Sequence, residues 1–383
     1  MSILDARRCW NIAGSETPFL LPRRGLSMSV SQSNKNSSQS YKNSSHCNKN
    51  SSHFDKSETP EELRETTKHR LKLEKIGLAR KLAAFEPKVA LRVAACGTHL
   101  QFDLYEHVQD QHQHCRRLAL ADFCGKRKFC PQCAAIYSEQ VAADFLGRLS
   151  RLQRGRKAVR LAPYRLIFLT LTVKNCLLSQ LRETLRMMSK AWDRLARSKR
   201  FAAAAVGGWF RGVEYIGDET PAGYAHPHYH CLIIVGSSYY KNDYIKQEEW
   251  CQMWRQALRA DYDPVVDVRR VRPRARKVVD ACGKTYEHMQ GSASAAAAEV
   301  AKYSVAPWTI RRQSDSDFKT LYEQTKGGRQ YALGGKIKDT EPDPPETLDP
   351  ELWRYIGVEI WRWGQGQYVM TQFSEVHNND GKG

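Results

Sequence analysis

No apolar run in this chain of 383 residues approaches the roughly 18 needed for a membrane-spanning helix. A signal peptide is not evident either. Arg7 and Arg8 are present, but the stretch CWNIAGSETPFLLP that follows is interrupted by polar residues and Pro18, so it lacks a continuous apolar centre. The expected address is the cytoplasm. Acidic residues are in short supply: 41 Asp and Glu stand against 60 Lys and Arg, a formal net charge of +19. That imbalance calls for a polyanionic partner, nucleic acid first and an anionic membrane surface second. The plain alternative is a basic protein that is merely soluble and self-repelling. The 11 cysteines are odd in number, which argues against a complete disulfide framework, and in a reducing compartment clustered thiols more often hold metal.

Residues 27–56 lack apolar groups almost entirely and nearly repeat themselves in YKNSSHCNKNSSH. Such a segment cannot offset its chain entropy and is expected to be disordered. His46, Cys47 and His53 fall inside it and make poor metal ligands. The chain divides into 1–57, a disordered low-complexity N-terminus; 58–155, a helix plus a Cys-rich zinc-binding module; 156–310, a sheet-and-helix domain; and 311–383, a C-terminal extension. Order is expected to begin at a helix capped by Thr59, with Pro60 in its first turn and Glu62 closing a capping box. After the cysteines, AAIYSEQVAADFLGRLSRLQRG reads as a helix stopped by Gly155.

From Pro163 the pattern is regular. YRLIFLTLTV, GWFRGVEYIG, HYHCLIIVG and PVVDVRRV read as strands. Between them, Leu178, Leu181, Leu185, Met188, Trp192 and Leu195 recur at helical spacing, and DYIKQEEWCQMWRQALRA is a second helix. SASAAAAEVAKYSVA is a third, ended by Pro307. The order β-α-β-β-α-β-α makes the fold α+β, and its first six elements match the ferredoxin-like, or split βαβ, arrangement. That architecture packs helices on one face of an antiparallel sheet and leaves the other face free for a ligand. The C-terminal WRYIGVEIWRWGQGQYV is a strand or short helix with no assignable role.

HPHYHCLIIV, from His226 to Val235, places three histidines two apart. Residues two apart on a strand share a face, so His228 and His230 stand side by side as two ligands for one divalent metal. His226 precedes Pro227 and belongs at the strand entrance. Glu214, in GVEYIG, can reach the same face from the neighbouring strand, and an oxygen ligand beside two imidazoles suits Mg2+ or Mn2+. Asp218 and Glu219 are weaker candidates in the loop. The blander reading is a polar edge strand with incidental histidines. In EVAKY, Glu299 and Tyr303 are four apart and share one face of the expected helix. A tyrosine oxygen is a competent nucleophile when a metal polarises its target, and the carboxylate one turn away can take protons. Most such pairs are ordinary surface contacts.

CPQC, from Cys130 to Cys133, is a knuckle for tetrahedral zinc; Cys96 and Cys124 complete it, with Cys115 and His99 in reserve. A redox role would call for a surrounding βαβ unit that this CxxC lacks. Cys176, Cys231 and Cys251 fall on apolar faces and read as core. RRVRPRARK contributes Arg269, Arg270, Arg272, Arg274 and Arg276 as DNA-binding residues, against the alternative of a solvated loop. Lys302, beside the tyrosine, joins that set but is expected to point elsewhere on its helix.

Taken in order, FLTLTV, HPHYHCLIIV and EVAKY resemble the three motifs of the rolling-circle plasmid replication initiators of the HUH endonuclease superfamily. FCGKRKFCPQC resembles the segment of the Cys-rich, single-tyrosine subgroup. The likeness spans Cys96 to Lys338. It implies that 156–310 is the endonuclease domain, with His228, His230 and Glu214 holding the catalytic divalent ion. Tyr303 would nick one strand of the plasmid double-strand origin, at a hairpin or single-stranded site, leaving a 5′-phosphotyrosine link and a 3′-hydroxyl primer. Glu299 would activate water at termination. Host helicase and DNA polymerase are the implied partners, a bacterial cytoplasm the implied setting, with Zn2+ as a structural ion and no membrane. Many members carry a lysine three residues after the tyrosine; this chain has Ala306 there. A histidine-triad nucleotide hydrolase, a non-catalytic zinc DNA-binding copy-number regulator and a conjugative relaxase are the competing readings.

Overall fold

The computed structural model describes residues 9–10, 60–217, 219–272, 274–279, 285–290, 292–302, 307–342, 347–364 and 367–375. For 9–10, 60–70, 274–279, 285–290 and 307–308 it describes the backbone alone. The molecule is α+β, with antiparallel sheets and a cluster of cysteines. No helix among the described residues is long and apolar enough to cross a membrane.

Two helices, α1 (Pro60–Ala83) and α2 (Pro87–Ala94), lead into a long hairpin of β1 (His99–His107) and β2 (Asp110–Ala121). Thr59 and the Glu62 side chain lie outside what is described. α3 (Pro131–Ala158) runs straight through Gly155. A Cβ at that position would meet no neighbour, so the glycine sits on an open surface where one unfavourable residue does not stop a long helix. The stop comes after Ala158, followed by left-handed Arg160.

The central sheet is built from β3 (Arg165–Thr172), β4 (Gly208–Glu214), β5 (His228–Val235), β6 (Val266–Arg270) and β9 (Tyr331–Gly334). Its order is β9-β4-β5-β3-β6, antiparallel throughout. α4 (Leu181–Arg197) links β3 to β4, and α5 (Gln247–Leu258) links β5 to β6. The expected apolar face of α4 is buried at Leu181, Met188, Trp192 and Leu195, while Leu178 sits in a preceding 3-10 turn. Trp192, Trp250 and Trp254 from these helices pack with Tyr229, Cys231, Ile233 and Val235 on one face of the sheet.

The other face is not left free. α3 and α6 (Ala293–Val300) cover it, burying Phe145, Ala297 and Val300 against Phe210, Leu232 and Ile234. The reason is visible in β5, which is buried at every position. Its apolar residues alternate onto both faces, and each face needs a cover.

Between β6 and α6 an unforeseen hairpin forms from β7 (Arg274–Val279) and β8 (Thr285–Gln290). The C-terminal segment is a hairpin of β10 (Trp353–Gly364) and β11 (Gln367–Glu375). It joins β1 and β2 in a second sheet, where Cys9–Trp10 also pairs with Arg116 and Arg117. The rest of the 1–57 segment lies outside the described residues.

Candidate active site

The register of the central sheet assembles the site. His230 lies opposite Thr170 of β3 and Gly212 of β4, and His228 lies opposite Thr172 and Glu214. Directly paired residues project to the same side, so Glu214 and both imidazoles share one face. Their atoms converge tightly. His228 Nε2 and His230 Nε2 are 3.0 Å apart, and Glu214 Oε2 is 3.2 Å from the first and 3.1 Å from the second. Both histidines are 9% exposed, which keeps the site shielded without sealing it.

Partners at the far side of each ring decide which nitrogen faces inward. The carbonyl oxygen of His226 lies 2.9 Å from His228 Nδ1 and can only accept, so Nδ1 carries a proton and Nε2 is the nitrogen turned to Glu214. Thr170 Oγ1 is 3.4 Å from His230 Nδ1. When both inward nitrogens are unprotonated, their lone pairs and the carboxylate oxygen repel one another unless a cation serves them all. Burial alone would raise the Glu214 carboxyl; hydrogen bonds from His228 and His230 and the charge of Lys302 outweigh it and hold the group well below the usual carboxylate range. Burial pushes the His230 pKa down. Both shifts favour the deprotonated, ligating forms.

The spacing fits a divalent ion. At a bond length of about 2.1 Å, neighbouring ligands on an octahedron stand about 3.0 Å apart, and on a tetrahedron about 3.4 Å. The observed 3.0–3.2 Å matches one face of an octahedron, the two-His, one-carboxylate triad with further positions open. His226 turns away; its Nδ1 is 2.5 Å from Asn175 Oδ1.

The EVAKY segment departs from expectation. α6 ends at Val300, with Ala301 as its C-cap. The carbonyls of Ala301 and Lys302 accept hydrogen bonds from the Tyr331 hydroxyl of β9 at 2.8 and 3.1 Å. Tyr303 lies outside the described residues, and so does the helical face expected for it and Glu299. Lys302, instead of pointing away, reaches the site. Its ammonium is 2.9 Å from Glu214 Oε2 and 2.8 Å from Glu299 Oε1. Burial would lower the lysine pKa, but the two carboxylates raise it overall.

The approach of α6 depends on Gly212. A Cβ there would run into the carbonyl oxygen of Val300. Thr170 and Gly212 were not assigned to the site from sequence, and Lys302 was assigned to DNA contact, not to the metal ligands. A hydroxyl at an alternate position of an apolar strand, and a second glycine in GWFRGVE, are the signals that mark two of them.

Cys96, Cys124, Cys130 and Cys133 form a second group, all buried and unbridged. Sulfur separations of 3.5 Å for Cys96–Cys133 and 3.6 Å for Cys124–Cys133 and Cys96–Cys130 approach the roughly 3.8 Å edge of a zinc–thiolate tetrahedron. Cys115 and His99 lie on the β1–β2 hairpin and do not join the group. Cys231 is fully buried, whereas Cys176 and Cys251 are half-buried at the core's margin. Arg269, Arg270 and Arg272 are exposed; Arg269 pairs with Asp267 at 2.7 Å, and Arg270 lies over the Tyr240 ring. Arg274 and Arg276 sit on β7 as part of a hairpin strand instead of a loop, and their side chains lie outside the described set.

A family profile described as "Replication protein" matches residues 115–359. The chain is similar to "Protein rep" of Lactiplantibacillus plantarum, 33% identical over 71% of this chain and 80% of that one. It is similar to "Protein rep" of Streptococcus pneumoniae, 32% identical over 65% and 69%. A third, "Protein rep" of Bacillus amyloliquefaciens, is 30% identical over 67% and 73%. No solved structure matches the chain.

Proposed function

The chain belongs to the replication-protein family, and from that premise we propose that it initiates plasmid rolling-circle replication by nicking one strand of origin DNA. The observation that carries this reading is the convergence of His228, His230 and Glu214 within 3.2 Å of one another, beside Lys302 and Glu299. The order β4-β5-β3-β6, with α4 and α5 as crossovers, supports a ferredoxin-like palm of the HUH type.

A bound Mg2+ or Mn2+ would draw charge from the scissile phosphate. The side chains do the rest. His228 and His230 offer Nε2, oriented by the His226 carbonyl and Thr170, and Glu214 supplies an oxygen. Tyr303, whose role rests on its place in EVAKY directly after Lys302, attacks phosphorus. A tyrosine O–P bond forms, the P–O3′ bond breaks, and the leaving 3′-oxygen takes up a proton. The products are a 5′-phosphotyrosine and a 3′-hydroxyl that a polymerase can extend. Glu299, held beside the site, activates the water that ends the round. The four cysteines would hold a structural Zn2+, and exposed Arg269, Arg270 and Arg272 would meet phosphates without reading bases. A histidine-triad hydrolase would need one imidazole free to attack a phosphate; here both Nε2 atoms converge on Glu214.

A labelled single-stranded origin oligonucleotide incubated with the protein and Mn2+ is expected to give an adduct that survives denaturation. EDTA and Tyr303→Phe should each abolish it, and Glu299→Gln should nick normally but terminate slowly. An adduct that persists in Tyr303→Phe would overturn the nucleophile assignment.

A further inference from the structure

Lys302 has an ammonium placed where a divalent cation's charge is wanted. Its Nζ lies 2.9 Å from Glu214 Oε2, the same oxygen that faces both histidine Nε2 atoms. It lies 2.8 Å from Glu299 Oε1 as well. One cation thus bridges the carboxylate that would bind metal and the carboxylate that would activate water. The side chain is only 27% exposed, so solvent screens these contacts weakly. The backbone cannot easily withdraw it, because Tyr331 on β9 holds the Ala301 and Lys302 carbonyls and Gly212 seats the helix end against the sheet.

We propose that Lys302 is a positioning residue that competes with the divalent ion for Glu214 and tethers Glu299 to the metal site. The inference rests on the metal-binding reading of His228, His230 and Glu214. Without metal, the ammonium neutralises Glu214 and keeps the three ligands together despite their mutual repulsion. When a divalent ion binds, the positive charge beside Glu214 opposes it, so affinity is held below what the three ligands alone would give. The Glu299 contact persists through the same ammonium, which keeps the second carboxylate close to the phosphate. A lysine on the N-terminal side of the tyrosine thereby serves the site in a chain that has Ala306 on the C-terminal side.

Mn2+ binding to the full-length protein, followed by electron paramagnetic resonance and calorimetry, tests the competition without any activity measurement. Lys302→Met is expected to bind Mn2+ about tenfold or more tightly than wild type, since a unit charge has left the ligand oxygen. Lys302→Arg, which keeps the charge, should stay within about threefold. Adding Glu214→Gln to Lys302→Met should erase the gain. Equal or weaker binding by Lys302→Met would overturn the proposal, as would a gain that survives Glu214→Gln. Should Lys302→Met fail to fold, as judged by circular dichroism, Lys302→Gln carries the same expectation. Absence of Mn2+ binding by wild type and by the lysine variants alike would instead reject the metal-binding reading. In the tether arm, Lys302→Met should slow termination more than nicking; equal slowing of both would overturn that part.

Discussion

His230 shows how a single side chain is tuned by its place in the sheet. Burial lowers its pKa from the ordinary 6.5, and a protonated imidazole cannot ligate. The sign follows directly: the neutral, ligating form persists at pH values where a free histidine would already be charged. His230 is therefore expected to stay neutral as pH drops through 6.5 and to protonate only on further acidification. An NMR titration of its ring between pH 8 and 5 would measure this, and a midpoint above pH 6.5 would contradict it. The histidine pair was legible in the sequence because a strand's period of two guarantees a shared face. Lys302 was not legible. Its direction depends on where α6 ends, and that is set by Tyr331, some thirty residues later in the chain.

At the scale of elements, the contact between β4 and the end of α6 is the joint on which the site turns. Gly212 is paired with His230 in register and lies beneath the Val300 carbonyl. Gly212→Ala would push α6 outward, since the obstructing atom is backbone and cannot rotate away. The expected cost is about 1–3 kcal/mol of stability, with a larger loss of nicking because Lys302 and Glu299 move with the helix. Thermal melts beside nicking assays would separate the two effects. Unchanged activity would show that the helix end can shift without consequence. Four of the five strands of the central sheet and its two crossover helices were readable from periodicity and turn residues. Their coverage on both faces was not, because the sequence does not say which face α3, the helix just before β3, packs against. The β7–β8 hairpin was missed because its basic residues read equally well as a solvated loop.

For the whole molecule, the cysteine group ties distant parts of the chain together. Lys72 and Lys75 of α1 donate to the carbonyls of Gly97 and Cys96 at 2.6 and 2.8 Å. The Tyr368 hydroxyl of β11 reaches Gly97 as well. Helix α1, the cysteine loop and the C-terminal hairpin thus meet at one point. Cys130→Ser is expected to lower zinc content below one per chain and the melting temperature by on the order of 5 °C or more, and to expose the β10–β11 hairpin to protease. Mass spectrometry of the native protein and limited proteolysis would check both. Full stability without zinc would remove the structural role.

The sequence by itself determined four strands of the central sheet, the helices α1, α3, α4 and α5, the histidine pair and the four cysteines. Each of these follows from local periodicity or from ligand types at short spacing. Only the tertiary structure decided that Glu214 meets the two imidazoles within 3.2 Å, that α3 and α6 close the second face, and that Lys302 turns into the site. Those outcomes depend on strand register and on contacts between residues far apart in the chain. No local pattern encodes such contacts, because packing selects them from many that local propensity allows.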